Sequence, residues 1–310
     1  MEQLVQPIVN GLSLGSIMAL SAVGLTLTYG ILRLSNFAHG DLMTLAAYLT
    51  FLFNSLGLNI WLAMGLSTIV VMGFALLTDK FLWAPMRKQR TTPTTLIIIS
   101  IGLALAIRNT VIMVWGASPQ NYDLPVAETL NFAGVRVPFN SLLVMGMAIA
   151  AIGGLHYLLQ NTKIGKAMRA VADDIDLARV TGIKVDRVIL WTWVIAAGLT
   201  AVSGSMLGLI EKINPNMGWF LILPLFASVI LGGIGNPYGA IVGAFVIGLA
   251  QEVGAGMRQI LGDAYLTLLQ NPVLAPIVKL MSPDYKIGIA LLIMMLVLLF
   301  RPQGLFRGTM

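Results

Sequence analysis

The chain contains no cysteine. Disulfides, thiol nucleophiles and thiolate metal sites are therefore excluded. It contains two histidines, His39 and His156, too few for a histidine-rich metal cage, so no metal site is expected. Charge is scarce as well. Charged residues make up 10% of the 310 positions, where a soluble domain carries roughly 25%. There is no G-x-x-x-x-G-K-[ST] phosphate loop. The closest approach follows Gly235, which continues Asn236, Pro237, Tyr238, Gly239, Ala240, with no lysine. The dinucleotide pattern G-x-G-x-x-G also fails, since Gly233 and Gly235 are followed by Gly239, one position late. The chain is thus not expected to hydrolyse ATP or to act as an enzyme, and no cofactor of its own is expected.

What remains is apolar. Hydrophobic residues account for 57% of the chain, in recurrent runs of about 20, the length that crosses a bilayer as a helix. The alternating segments of about 10 residues that build a membrane barrel are absent. The reading is an all-α, polytopic membrane protein forming one transmembrane domain over 1–310. Apolar spans are read at 6–31, 40–56, 60–82, 94–115, 139–159, 188–210, 218–233, 237–256 and 286–300. They make eight or nine crossings, or seven plus a re-entrant pair at 218–256. The N-terminal MEQLVQPIVNG lacks a basic n-region, so the first stretch is read as a retained span.

The net charge of +6 does not require nucleic acid, because basic residues collect in cytoplasmic loops. Thirteen Lys and Arg fall on one set of connections, including 83–92, 161–187 and 301–310; five fall on the other, and Arg108 lies within a span. This places the N-terminus outside and the C-terminus inside. Loop 116–138 is exterior, polar and turn-prone, and 257–285 reads as a short amphipathic piece along the outer interface.

Three stretches carry candidate function. In 231–244, Gly232, Gly233 and Gly235 permit a turn, Asn236 is a good N-cap and Pro237 suits a first helical position. Gly235, Gly239 and Gly243 then repeat every four residues as a smooth stripe for a neighbouring helix, and Gly11 and Gly15 echo the spacing. The segment is either a packing hairpin or a broken helix lining a substrate path. In 161–188, Lys163, Lys166, Arg169 and Arg179 alternate with Asp173, Asp174 and Asp176. Two short helices are predicted: one at 165–172, and one capped by Asp174 and stopped by Gly182. An apolar face of Ala167, Ala170, Val171, Leu177, Ala178 and Val180 serves either an interfacial helix or a dock for a cytoplasmic partner. Asn36, His39 and Asp41 cluster where the first span meets the second, with Asn36 as a possible cap. With Asn109 they are candidates for the translocation path, while Arg108 is expected to reach outward to the headgroups.

The segments YGILRLSNFAHGDLMTLAAY (29–48), GKAMRAVADDIDLARVTGI (165–183) and ILGGIGNPYGAIVGA (230–244), with the terminal RPQGLFRG, resemble the permeases of ABC importers for branched-chain amino acids, most closely the shorter, Liv H type subunit. Cyanobacterial neutral amino acid and urea importers use the same permease type. Urea permeases usually carry an N-terminal extension, so a chain that starts at its first span leans toward amino acids, with urea as the alternative. A secondary transporter would carry more ionisable residues within its spans. The resemblance implies residence in the bacterial inner membrane, pairing with a second permease, two ATPase subunits that use ATP, and an extracytoplasmic substrate-binding protein. It also implies that Gly165, Lys166, Ala167, Arg169, Ala170, Asp173, Asp174, Arg179 and Gly182 belong to the ATPase-coupling element.

Overall fold

The computed structural model describes residues 2–124, 129–132, 135–262, 265, 269–270, 278–279, 282–301 and 303–306. All nine apolar spans are helices. They are α1 (Glu2–Leu32), α2 (Ala38–Ser55), α3 (Ile60–Thr78) with its extension α4 (Ala84–Lys88), α5 (Pro93–Trp115), α6 (Phe139–Asn161), α9 (Val185–Ile210), α10 (Met217–Gly232), α11 (Pro237–Ala255) and α13 (Lys286–Phe300). Between them lie the short helices α7 (Lys163–Asp173), α8 (Ile175–Val180) and α12 (Met257–Leu261). Among the described residues, six helices are long and apolar enough to cross a membrane; α10 and α13 are shorter apolar helices. The protein is an all-α, multi-pass membrane protein.

A π-helical turn, Asp79–Trp83, joins α3 to α4. Pro85 explains it: proline donates no backbone hydrogen bond, and its ring crowds the carbonyl four residues earlier, at Phe81. A local π turn relieves both. The rod therefore continues to Lys88 and does not end at residue 82 as the apolar run suggests.

Helix α1 is the central post. It packs most extensively on α11 and α9, and 78% of its apolar window is buried, against 22% for α5 and α6. Those two peripheral helices turn Ile98, Met113, Ile149 and Tyr157 outward, as a face toward lipid or another membrane subunit must. The buried side chains form two clusters. One joins Ile17, Met18, Tyr48, Met206 and Leu207. The other joins Leu27, Ile31, Trp83, Met168 and Trp193, with the Trp83 and Trp193 rings stacked 6.3 Å apart.

Residues 120–123 of loop 116–138 are anchored on the bundle. Tyr122 inserts into the bundle, where its hydroxyl donates to the carbonyls of Ser205 at 3.2 Å and Ala47 at 3.4 Å. The Asp123 amide donates to Asn54 Oδ1 at 2.7 Å, and Gln120 bridges Ile213. Strands β1 (Thr129–Phe132) and β2 (Val135–Pro138) pair antiparallel, with Thr129 opposite Pro138. The amphipathic piece expected at 257–285 falls largely outside the described residues, which include α12 and a 3-10 turn at Pro283–Tyr285.

Candidate functional site

The loop after α6 folds as two short helices. Thr162 caps α7, its hydroxyl accepting from the Gly165 amide at 3.1 Å. Asp174 ends α7 and caps α8, accepting from the amides of Asp176 and Leu177 at 2.9 Å each. Gly182, at φ +87°, follows α8 in the left-handed conformation that suits glycine. Gly165 is fixed by contact. A Cβ there would overlap the backbone of Leu158 and Leu159, so glycine allows α7 to fold back against the end of α6. The single apolar face expected from sequence is divided in two. Met168, Val171 and Ala178 are buried against the bundle, whereas Leu177 is 62% and Val180 85% exposed. Ala167 and Ala170 lie between these extremes. Lys166, Asp173 and Arg179 are exposed; Arg179 reaches Asp176 at 3.4 Å. Arg169 instead turns back to Gln160 Oε1 at 2.7 Å.

That contact begins a polar chain. Gln160 Nε2 donates to the Tyr238 hydroxyl at 3.1 Å, and His156 Nδ1 lies 2.9 Å from the same oxygen. Tyr238 stands in the first turn of α11, immediately after the glycine break. The short-helix loop and the break, 69 positions apart between Arg169 and Tyr238, are thus joined through three side chains. Nothing in the spacing of Gln160 or His156 singled them out.

The break itself is a tight helical hairpin. Asn236 caps α11, accepting from the amides of Tyr238 at 3.0 Å and Gly239 at 3.1 Å, with Pro237 at the first position. Gly233 (φ +108°) and Gly235 (φ +89°) make the reversal. Gly239 and Gly232 lie backbone to backbone, and a Cβ on either would overlap the other. Gly243 meets the Ser228 carbonyl. Gly235 does not belong to this stripe: a Cβ on it would meet open space, and its role is the turn. The contact surface is therefore Gly232, Gly239 and Gly243, and it packs α11 on the preceding α10. Thr26 of α1 accepts from the Gly235 amide at 2.9 Å. The C-terminal segment also docks here. Leu305 and Phe306 donate their amides to the carbonyls of Leu231 at 2.8 Å and Gly232 at 3.1 Å. They satisfy the final acceptors of α10 that the helix leaves without partners.

The third cluster lies inside the bundle. Asn36 is buried and accepts from the Ala38 amide at 3.1 Å, so it supports the start of α2 from one residue ahead of the formal cap. His39 Nε2 lies 2.9 Å from the Ser21 carbonyl and 2.9 Å from Thr200 Oγ1. A carbonyl only accepts, so Nε2 carries the proton, and the ring ties α2 to α1 and α9. Asp41 and Arg108 form a bidentate pair, Nε to Oδ1 and Nη2 to Oδ2 at 3.0 Å each. The guanidinium lies over the Trp219 ring, 4.5 Å from its centre. Arg108 is 8% exposed, which corrects the expectation that it reaches toward the headgroups: inside the bundle a carboxylate is a better partner than distant water. Asn109, next in sequence, is exposed on α5, with its amide on the Leu105 carbonyl at 2.8 Å.

Comparison with known proteins places these features in a wider group. A family model described as the permease component of branched-chain amino acid transport systems matches residues 7–298. The chain is 30% identical to the high-affinity branched-chain amino acid transport system permease protein BraD of Pseudomonas aeruginosa, with 97% of this chain and 94% of that protein aligned. The same figures hold for LivH of Escherichia coli K12. A probable LivH of Methanocaldococcus jannaschii is 28% identical over 77% of each chain. Among solved structures, PsaBC from Streptococcus pneumoniae in complex with Fab superposes with a TM-score of 0.52 at 12% identity, covering 98% of this chain and 93% of that one. At that identity the likeness concerns the fold.

Proposed function

The chain belongs to the branched-chain amino acid transport system permease family, and on that premise we propose that it forms half of an importer's membrane pore, beside a second, related permease. In this reading two cytoplasmic ATPases hydrolyse ATP, and an extracytoplasmic binding protein delivers a branched-chain or neutral amino acid. The N-terminus lies outside, and the 161–187 loop and the C-terminus face the cytoplasm of a bacterial cell. The observation that carries the reading is the outward pair Leu177 and Val180, beside a less exposed Ile175, on a six-residue helix that also carries Asp176 and Arg179. Two such side chains held clear of their own fold suit insertion into a partner's groove, with Lys166, Asp173 and Arg179 at the rim setting orientation more than affinity. Motion received at α7 would pass through Arg169, Gln160 and Tyr238 to the start of α11. Asn109 is exposed on peripheral α5 and would meet a path only at a subunit interface, whereas Asn36, His39 and Asp41 are buried and would meet one only as helices of the bundle separate.

Leu177→Asp and Val180→Asp test the dock. The variants should reach the membrane at the normal level yet lose copurifying ATPase and uptake. Normal ATPase association in both would exclude this loop and leave 83–92 as the next candidate. Competition of uptake by leucine, alanine, proline and urea separates the amino acid reading from a urea permease.

A further inference from the structure

A cavity of about 320 Å³ opens between the end of α9, the start of α10, the end of α11 and the start of α13, lined by Glu211, Asn214, Gln251, Glu252 and Lys286 together with apolar side chains that include Leu207 and Leu221. Its size matches the lower end of small-molecule sites, about 300–1,000 Å³. Glu211 ends the 26-residue α9, so the cavity lies roughly 39 Å from the 161–187 loop at 1.5 Å per residue. With that loop in the cytoplasm, the cavity faces outside.

Its polar groups are of two kinds. Lys286 Nζ is bonded to Glu252 Oε1 at 2.5 Å, which neutralises one carboxylate and leaves Glu211 in excess. Gln251 is 3% exposed. Its Nε2 donates to the Lys286 carbonyl at 3.0 Å and ties α11 to the start of α13, while its Oε1 is enclosed and has no donor among the described residues. Partial withdrawal from water raises the Glu211 carboxyl above its usual range, Glu252 adds to the rise and Lys286 opposes it. Donors are present as well: an ammonium offers three N–H bonds, of which Lys286 uses one on Glu252. Asn214 takes the Asn216 amide on Oδ1 at 3.1 Å, which leaves its amide nitrogen as a donor. Acceptors, donors and an apolar wall thus share one small space.

We propose that this cavity is a receiving site for the substrate, binding an apolar α-amino acid with its ammonium on Glu211, its carboxylate on Lys286 and Asn214, and its side chain against Leu207 and Leu221. This inference rests on the amino acid permease reading.

The native chain lacks cysteine, so a single Phe220→Cys at the exposed cavity rim gives a clean reporter. The complete transporter would be tested in spheroplasts washed free of binding protein, reading labelling of this subunit by a membrane-impermeant maleimide. Leucine should slow labelling, while isoamylamine and 4-methylpentanoate, each lacking one charged end, should be weaker protectors. Adding Glu211→Gln should raise the leucine concentration for half protection about tenfold, as loss of a charged hydrogen-bond partner predicts. Copurifying ATPase would verify assembly of each variant. Labelling indifferent to leucine, or undiminished protection in Glu211→Gln, in a complex that still takes up leucine would overturn the site and leave the permease reading intact. ATPase-independent uptake, or failure of the intact wild-type system to take up any amino acid, would overturn the permease reading, and the proposed site with it.

Discussion

Removing one partner of the Asp41–Arg108 pair should be far more damaging than removing both. Asp41 is fully enclosed and Arg108 retains only 10% of its side-chain exposure, so neither charge has water to return to. Breaking such a pair costs about 3–5 kcal/mol, because a buried charge is left behind, whereas replacing both with apolar groups of similar size is often near neutral. Asp41→Leu and Arg108→Met should each lose about 3 kcal/mol or more. Arg108→Met also removes the contact with Trp219, an interaction of about 0.5–2 kcal/mol. The double variant should recover most of the single losses. Because the midpoint shift per kcal/mol falls below about 2–4 °C beyond about 150–250 residues, each single variant should melt a few degrees lower, and the double closer to wild type than either single. Thermal denaturation of purified complex, followed by fluorescence-detected size exclusion, measures all four proteins. A double variant whose loss equals the sum of the singles would refute the reasoning, since that is the behaviour of independent sites. So would single variants that melt like wild type.

Gly239→Leu should disrupt the α10–α11 hairpin, because its side chain would be driven into the Gly232 backbone. A cost of about 1–3 kcal/mol or more should appear as reduced assembly in membranes, and normal assembly and uptake would exclude that contact. Gly304→Val should dislodge the C-terminal segment, since Gly304 sits at φ +77° directly over Gly233. The amides of Leu305 and Phe306, released from the Leu231 and Gly232 carbonyls, should then exchange faster, with faster proteolysis at residues 303–306. Gln160→Leu, which cuts the link between Arg169 and Tyr238, should preserve ATPase binding while lowering uptake per ATP hydrolysed; an unchanged ratio would remove the link from the mechanism. For topology, a cysteine at Ser118 should label from outside and one at Lys163 from inside, and the reverse pattern would invert the proposed orientation.

Much of this architecture was legible in the sequence because a bilayer reduces folding to a few strong rules. Backbone polar groups in hydrocarbon must pair within a helix, so long apolar runs identify the helices whatever their neighbours. Caps are equally local: Asn236, Asp174 and Gly182 act within three or four residues of themselves, and all three were recognisable. So was the glycine-rich reversal before α11, although its stripe was assigned one residue too many. Tertiary structure decided whatever depends on which faces meet. Gly235 repeats in register with Gly239 and Gly243, yet only the fold shows that it turns the chain while the other two meet α10. Arg108 and Asp41 lie 67 positions apart, and no spacing rule joins them; their pairing exists because α2 and α5 are brought together inside the bundle. The same holds for the outward turn of Leu177 and Val180, the chain of contacts from Arg169 to Tyr238, and the gathering of Glu211, Gln251 and Lys286 around one cavity. Helices and their ends follow from near neighbours along the chain. Partners across the bundle follow from helix rotation and packing, which are set by all the contacts at once.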